Sequence, residues 1–242
     1  MGSSERVPVK STANSEELDG IALLEGLRSS GAWLQRHLNS INALNVFPVP
    51  DGDTGTNMSL TIKAALAEVG DHPDAEVGSL AQTIAHGALM GARGNSGVIL
   101  SQILRGLARA LEGRATLDPA SLAKALTEGA ATAYKGVMKP VEGTILTVAR
   151  ESAAAAERTA AAGGSLRDVL AAAYEEAEAS VLRTPRLLPV LADAGVVDAG
   201  GTGYARILEG WLRQMDGEQV TDVQLAEKSI ERVAAPEGGY NY

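Results

Sequence analysis

Two aspartates one residue apart, Asp51 and Asp53, stand in the run Val46-Phe47-Pro48-Val49-Pro50-Asp51-Gly52-Asp53-Thr54-Gly55-Thr56-Asn57-Met58, and their chemistry is that of a metal-assisted phosphate site. Free aspartate has a pKa of about 3.9, so both carboxylates are ionised at neutral pH and their repulsion favours a bridging cation. Mg2+ suits such oxygen ligands, because it takes one or two carboxylates, keeps several waters and completes its octahedron with substrate phosphates. Gly52 and Gly55 permit left-handed or closely approached backbone. Thr54, Thr56 and Asn57 add hydroxyl and amide donors where a helix is expected to start, and free N–H groups at a helix start favour anions. The plainer alternative is a proline-led turn with an Asp or Thr cap, but a turn needs neither a second carboxylate nor the following Gly-Thr-Asn. An EF-hand loop counted from Asp51 would require glycine and glutamate where the chain has Thr56 and Ile62.

A second glycine-rich element, Gly91-Ala92-Arg93-Gly94-Asn95-Ser96-Gly97, falls between two apolar helical patterns. It reads as a second phosphate cradle, since Arg93, Asn95 and Ser96 offer donors that a simple interhelical turn does not require. A third, Asp193 to Gly203, combines carboxylates, glycines and a helix start, so the three loops together define one ligand-facing rim. The segment Lys139-Pro140-Val141-Glu142-Gly143-Thr144 is a weaker candidate for the site and reads more simply as a proline stop followed by a helix restart. His37 and His86 lie in helical patterns and His72 in a turn, none with a metal-ligand partner three or four residues on, so they are read as core or surface histidines. The chain has no P-loop, no protein-kinase catalytic loop and no Gly-x-Ser-x-Gly elbow. A bound nucleotide would have to rely on metal and backbone amides.

The elements that must position these loops are helices. The chain has 242 residues, enough for one large domain, with 45% hydrophobic but only 3% aromatic residues, so its core must be built from Ala, Leu, Val and Ile. Apolar residues recur at three- and four-residue spacing from Glu16 to about Ala43, with Gly31 expected to loosen the middle of that helix. Further helices are predicted from the Thr54–Asn57 region to Val69, then over Ser79–Met90, Val98–Leu111, Pro119–Met138, Thr144–Ala162, Ser165–Val181 and Thr202–Met215. Nothing reads as a strand, and the expected fold is an all-α antiparallel barrel or bundle of about eight helices. Residues 1–15 are read as a disordered tail, 16–216 as the domain, and 217–242 as a linker or truncation point. A net charge of −9 argues against nucleic acid or anionic membrane as partner, and the absence of cysteine excludes disulfides and thiol chemistry. No apolar stretch reaches the roughly 20 residues of a membrane span, and the expected location is the cytoplasm.

The strings Leu44 to Met58, Gly91 to Gln102 and Asp198-Ala199-Gly200-Gly201 resemble the nucleotide-binding (Dak or DhaL) domain shared by dihydroxyacetone kinases and bacterial fatty acid kinases. The likeness covers roughly Leu18 to Met215 and looks closest to the N-terminal ATP-binding domain of the fatty acid kinase A subunit. It implies a barrel of about eight helices whose open end holds ATP or ADP with two Mg2+ ions. By that resemblance Asp51 and Asp53 are the catalytic metal ligands. Thr54, Thr56, Asn57 and the Gly94, Asn95, Ser96, Gly97 loop would hold phosphates, while Thr144 and the Asp198, Gly200, Gly201 loop would border the adenosine. The dihydroxyacetone branch carries a further aspartate shortly before the pair. Positions 41–50 here contain no acid, which makes Asn45 the candidate third metal ligand and favours the fatty acid branch.

The implied reaction transfers the ATP γ-phosphate to a fatty acid held by a carrier protein of the DegV type, giving acyl phosphate. A carboxylate is already a nucleophile at neutral pH and needs no general base. The same likeness implies further domains after Tyr242, concerned with carrier binding and with a homodimer of the full-length protein. The alternatives are a dihydroxyacetone (glycerone) kinase-type nucleotide subunit and a non-catalytic protein that holds ADP as a scaffold.

Overall fold

A computed structural model describes residues 17–70 and 73–220, and the tail expected over 1–15, His72 and most of the expected 217–242 linker lie outside the described residues. Ten helices occur among the described residues: α1 Gly20–Arg36, α2 Leu38–Ala43, α3 Thr54–Val69, α4 Val77–Met90, α5 Gly94–Ala110, α6 Pro119–Gly136, α7 Ile145–Ala161, α8 Leu166–Leu187, α9 Pro189–Ala194 and α10 Ala199–Met215. Eight are long, and α2 and α9 have six residues each. The long ones form a closed ring, each packing on its sequence neighbour and α10 returning to α1.

Cross-helix contacts fix the antiparallel order. Ser59 Oγ on α3 donates to Gln35 Oε1 on α1 (2.6 Å), Gln82 on α4 reaches the Ala108 carbonyl of α5 (3.1 Å), and Thr127 on α6 bonds Glu157 on α7 (2.7 Å). The ring closes where Ser29 and Ser30 of α1 donate to the Gly210 and Ile207 carbonyls of α10, each at 2.7 Å. With the helices alternating in direction, α3, α5, α7 and α10 all start at one end of the barrel. The core is aliphatic: Leu34, Ile41, Ile62, Val148, Leu166 and many alanines are buried, and Tyr204 is the one aromatic side chain among the buried hydrophobics described. Such small side chains let the helices approach closely. An apolar cavity runs inside the ring, lined mainly by leucines and isoleucines of α1, α4, α5, α6 and α10. No described helix is long and apolar enough to cross a membrane.

Several boundaries differ from expectation, each for a local reason. The first helix breaks at His37 and not at Gly31. The His37 ring nitrogen takes the Trp33 carbonyl at 2.9 Å, the acceptor a continuing helix would offer to the His37 N–H, and that N–H turns to Leu34 O. Gly31 meanwhile sits within helical backbone facing Ile62. Helix α8 runs through Pro185 to Leu187 because the Val181 carbonyl, orphaned by the missing proline N–H, accepts the Thr184 hydroxyl at 2.7 Å. Helices α5 and α10 begin at Gly94 and Ala199, so glycines expected in loops belong to first turns. Helix α9 had no periodicity long enough to reveal it.

Candidate functional site

The end of the barrel where four helices start holds a cleft of about 1240 Å3 including its open mouth. Its lining combines polar residues, Asn45, Asp51, Asp53, Thr54, Asn57, Asn95 and Ser96, with apolar ones, Phe47, Pro48, Val49, Val98, Ile99, Val137, Val141, Ile145 and Leu146.

The 44–53 loop presents the two aspartates. Gly52 takes φ +68°, the left-handed turn that sets Asp51 and Asp53 on either side of it. Asp51 is pinned: Asn45, itself buried, donates its Nδ2 to Asp51 Oδ1 at 2.6 Å. Asp53 occupies the N-cap position of α3, yet its side chain makes no capping hydrogen bond. Asn42 does that work from the neighbouring helix, its Oδ1 accepting Gly55 N–H at 2.8 Å and Thr56 N–H at 3.2 Å while its Nδ2 donates to Thr56 Oγ1 at 3.0 Å. The Asp53 carboxylate is therefore left to the cleft. The same bonds turn Thr56 away, and the Gly55 and Thr56 N–H groups expected to attract anions are already occupied.

The start of α5 is pressed against α3. Gly94 has φ +57°, and a Cβ there would overlap the Asn57 amide; one on Gly97 would stand 2.5 Å from Thr61 Oγ1. These two glycines do not line the cleft; they allow the approach that puts Asn95 and Ser96 into its wall. Ser96 Oγ points to the Thr54 carbonyl at 3.5 Å, joining the two helix starts.

On the far side Thr144 caps α7, and Asp198 caps α10 by accepting Gly201 N–H at 2.6 Å. Asp198 also accepts the Ile145 N–H, so one carboxylate ties the starts of α7 and α10 together. Burial pushes its carboxyl up to about 6, against the lowering pull of the two N–H groups. The structure thus brings ten predicted residues into one cleft, namely Asn45, Asp51, Asp53, Thr54, Asn57, Asn95, Ser96, Thr144, Asp198 and Gly200; Thr56, Gly94, Gly97 and Gly201 lie behind its lining. Sequence reasoning missed the apolar lining and, within a segment it ranks as a weaker candidate, the part of Lys139 as the only cation among the described lining residues. Its signal was a lone lysine between a helix stop and a restart. The segment carrying Lys139 is anchored by Glu142, which accepts Tyr134 Oη (2.9 Å), Thr147 Oγ1 (2.7 Å) and both Arg150 Nη groups (2.9 Å each). No group of three or more His, Cys, Asp or Glu able to hold a metal occurs among the described residues, so protein carboxylates would supply only part of a metal's shell.

The Asp198 shift has a measurable sign. Because its folded carboxyl titrates above the unfolded value of 3.8, the folded state holds the extra proton. Its stabilising contribution is full below about pH 4 and is lost as pH rises to about 6, an effect on the order of 3 kcal/mol. Asp118, Glu142, Glu151 and Asp168 are shifted down and act in the opposite sense, losing stability only as pH falls below their ordinary range. Urea denaturation from pH 4 to 7 is expected to show a decline specific to the wild type when it is subtracted from Asp198→Asn. A pH-independent difference would remove the buried charge from the account.

An eight-helix antiparallel barrel with a carboxylate-bearing cleft at the end where helices start is the DhaL-type all-α architecture. Residues 48–213 match the DAK2 domain model, and the chain belongs to that family. It is 46% identical over 203 residues to the protein YloV of Bacillus subtilis and 45% identical over 205 residues to an uncharacterized protein of Staphylococcus saprophyticus. Those matches cover 84% and 85% of this chain but 37% of each relative's length, so the chain spans little more than a third of them. Among solved structures, the dihydroxyacetone kinase of C. freundii superposes with a TM-score of 0.58 in its native form (23% identity) and 0.60 in complex with AMP-PNP and Mg2+ (18% identity). Each superposition covers 90% of this chain and 37% or 38% of the kinase chain, and the likeness is one of fold.

Proposed function

We propose that this chain is the nucleotide-binding domain of a kinase, which holds Mg-ATP in the cleft and passes its γ-phosphate to the carboxylate of a carrier-bound fatty acid. A carboxylate oxygen attacks the γ-phosphorus, the bond to the β–γ bridging oxygen breaks, and acyl phosphate and ADP result. The observation that carries the reading is one cleft that gathers Asp51 and Asp53, the starts of α3, α5, α7 and α10 and a set of apolar lining residues. The AMP-PNP and Mg2+ in the C. freundii kinase complex support the same ligand class here.

The donor set fits a hard cation. Asp51, fixed by Asn45, and Asp53, released from capping by Asn42, would hold Mg2+, with two ions as the family likeness implies. When bound, the metal neutralises phosphate charge, the main requirement of phosphoryl transfer. The protein's own part is positioning. Asn57, Asn95 and Ser96 offer donors at the α3 and α5 starts, Lys139 adds a positive charge, and the wall of Ile99, Val141, Ile145 and Leu146 excludes water from the base. No histidine lines the cleft among the described residues, and Asp198 is held by two N–H groups; a carboxylate acceptor needs no base. The DegV-type carrier, a homodimer of the longer protein and a cytoplasmic setting belong to this proposal.

The test is calorimetric titration of ATP and ADP with Mg2+ and then with chelator, followed by an acyl-phosphate assay on the longer protein with its fatty-acid carrier. Mg-dependent binding and fatty-acid-dependent ADP release support the reading. Glycerone-dependent release would transfer it to a hydroxyl acceptor, and co-purified ADP that refuses to exchange would favour a scaffold.

A further inference from the structure

The outer wall between α5 and α6 carries a second concavity, lined by Gln102, Arg105 and Arg109 from α5 and by Thr132, Lys135 and Gly136 from α6. Helical spacing explains the convergence. Positions 102, 105 and 109 are three and four residues apart on one face of α5, and 132, 135 and 136 answer them on the antiparallel α6. The helices touch backbone to backbone close by, where a Cβ on Gly106 would collide with Glu128 and come 2.7 Å from Gly129 Cα.

Every side chain lining this groove can donate a hydrogen bond, and no carboxylate is among them. Arg109 is held in place, its Nη2 donating to Glu128 Oε2 at 2.7 Å and to the buried Thr132 hydroxyl at 3.1 Å, which leaves Nε and Nη1 for the groove. Arg105 and Lys135 make no ion pair among the described residues, in a chain whose net charge is −9 and whose other arginines are largely matched with carboxylates. Glu128 already matches Arg109, so Arg105 and Lys135 remain as two uncompensated cations in one concavity, and an anion relieves their repulsion.

We propose that this groove binds the phosphoryl group of a small phosphorylated molecule, at a site separate from the cleft. A single arginine fork suffices for a carboxylate, whereas cations from two helices with an added amide suit a tetrahedral oxyanion carrying nearly two charges. The groove has no apolar lining like that of the cleft, which suits a phosphomonoester more than a nucleotide. Gly136 is the one residue lining both. A ligand in the groove therefore sits against the last turn of α6, just before the segment that carries Val137, Lys139 and Val141 into the cleft wall. The site does not depend on the nucleotide reading of that cleft.

The experiment is calorimetric titration of inorganic phosphate into the whole chain without metal at low salt, repeated for Arg105→Gln/Lys135→Gln and for Asp51→Asn/Asp53→Asn. Saturable binding is expected in the wild type, weakened roughly tenfold or more in the groove variant by loss of two charge-assisted contacts, and kept in the cleft variant. Both groove residues are exposed, so an unchanged melting curve certifies the fold. A wild type that shows no saturable phosphate binding overturns the proposal, as does binding that the groove variant keeps undiminished, or acetate binding as tightly as phosphate. A Mg-ATP titration of the groove variant reports on the cleft separately, so failure of the nucleotide reading would be seen as such.

Discussion

Asp53→Ala is expected to lower Mg-dependent ATP affinity by more than about a hundredfold, beyond the usual cost of losing a metal's outer-shell partner, while leaving helicity and unfolding free energy within about 0.5 kcal/mol. The separation of the two effects comes from Asn42. Asp53 stands at the N-cap of α3, and an N-cap aspartate replaced by alanine costs about 1 kcal/mol when its side chain does the capping. Here Asn42 Oδ1 accepts the first free N–H groups of the helix, so the carboxylate can be removed without uncapping it. Asn45→Ala should fall between wild type and Asp53→Ala, because it frees Asp51 from its 2.6 Å anchor without deleting a carboxylate. Calorimetry with and without chelator, paired with circular dichroism melts, reads both quantities. A large loss of helicity in Asp53→Ala would mean that the aspartate serves the turn and not a ligand.

Gly94→Ala is expected to destabilise the fold by about 2–5 kcal/mol and to weaken nucleotide binding with it, since left-handed backbone costs about 1–2 kcal/mol for a side-chain-bearing residue and overpacking adds about 1–3. Gly94 combines φ +57° with a Cβ position that overlaps Asn57 Nδ2 and lies 3.0 Å from Asn57 Cγ, so alanine must push a cleft residue aside. Gly163→Ala is the matched control: its φ is +82° with nothing within 4 Å of the added carbon, so only the backbone cost applies. Urea denaturation of the two variants separates strain from collision. Equal losses would show that Asn57 gives way freely and that the α3–α5 contact does not hold the cleft wall.

These predictions rest on a division visible residue by residue. The sequence by itself determined the helical class, because aliphatic periodicity and Ala-rich stretches with few aromatics admit little else. It also marked most helix ends, where Gly70 and the Asp118-Pro119 and Ser165 caps act within a few residues of themselves. The Asp51 and Asp53 pair was legible for the same reason, since two carboxylates flanking a glycine are local chemistry. The tertiary structure decided which donors face the cleft, because that depends on partners far along the chain. Asn42, 13 residues before Gly55, took over the cap and turned Thr56 away, a role no spacing rule announces. The glycines at 94 and 97 looked like a phosphate cradle in sequence and serve helix approach in space, since only the position of α3 shows what their missing side chains make room for. Asp198, read as a rim residue, became a buried carboxylate bonding the starts of two helices, and its raised pKa exists only because ring closure removes it from water. Lys139 and the α5–α6 cations are ordinary surface residues along the chain. Antiparallel packing draws the latter into one groove, because charges that meet across helices are set by the barrel and not by their neighbours in sequence.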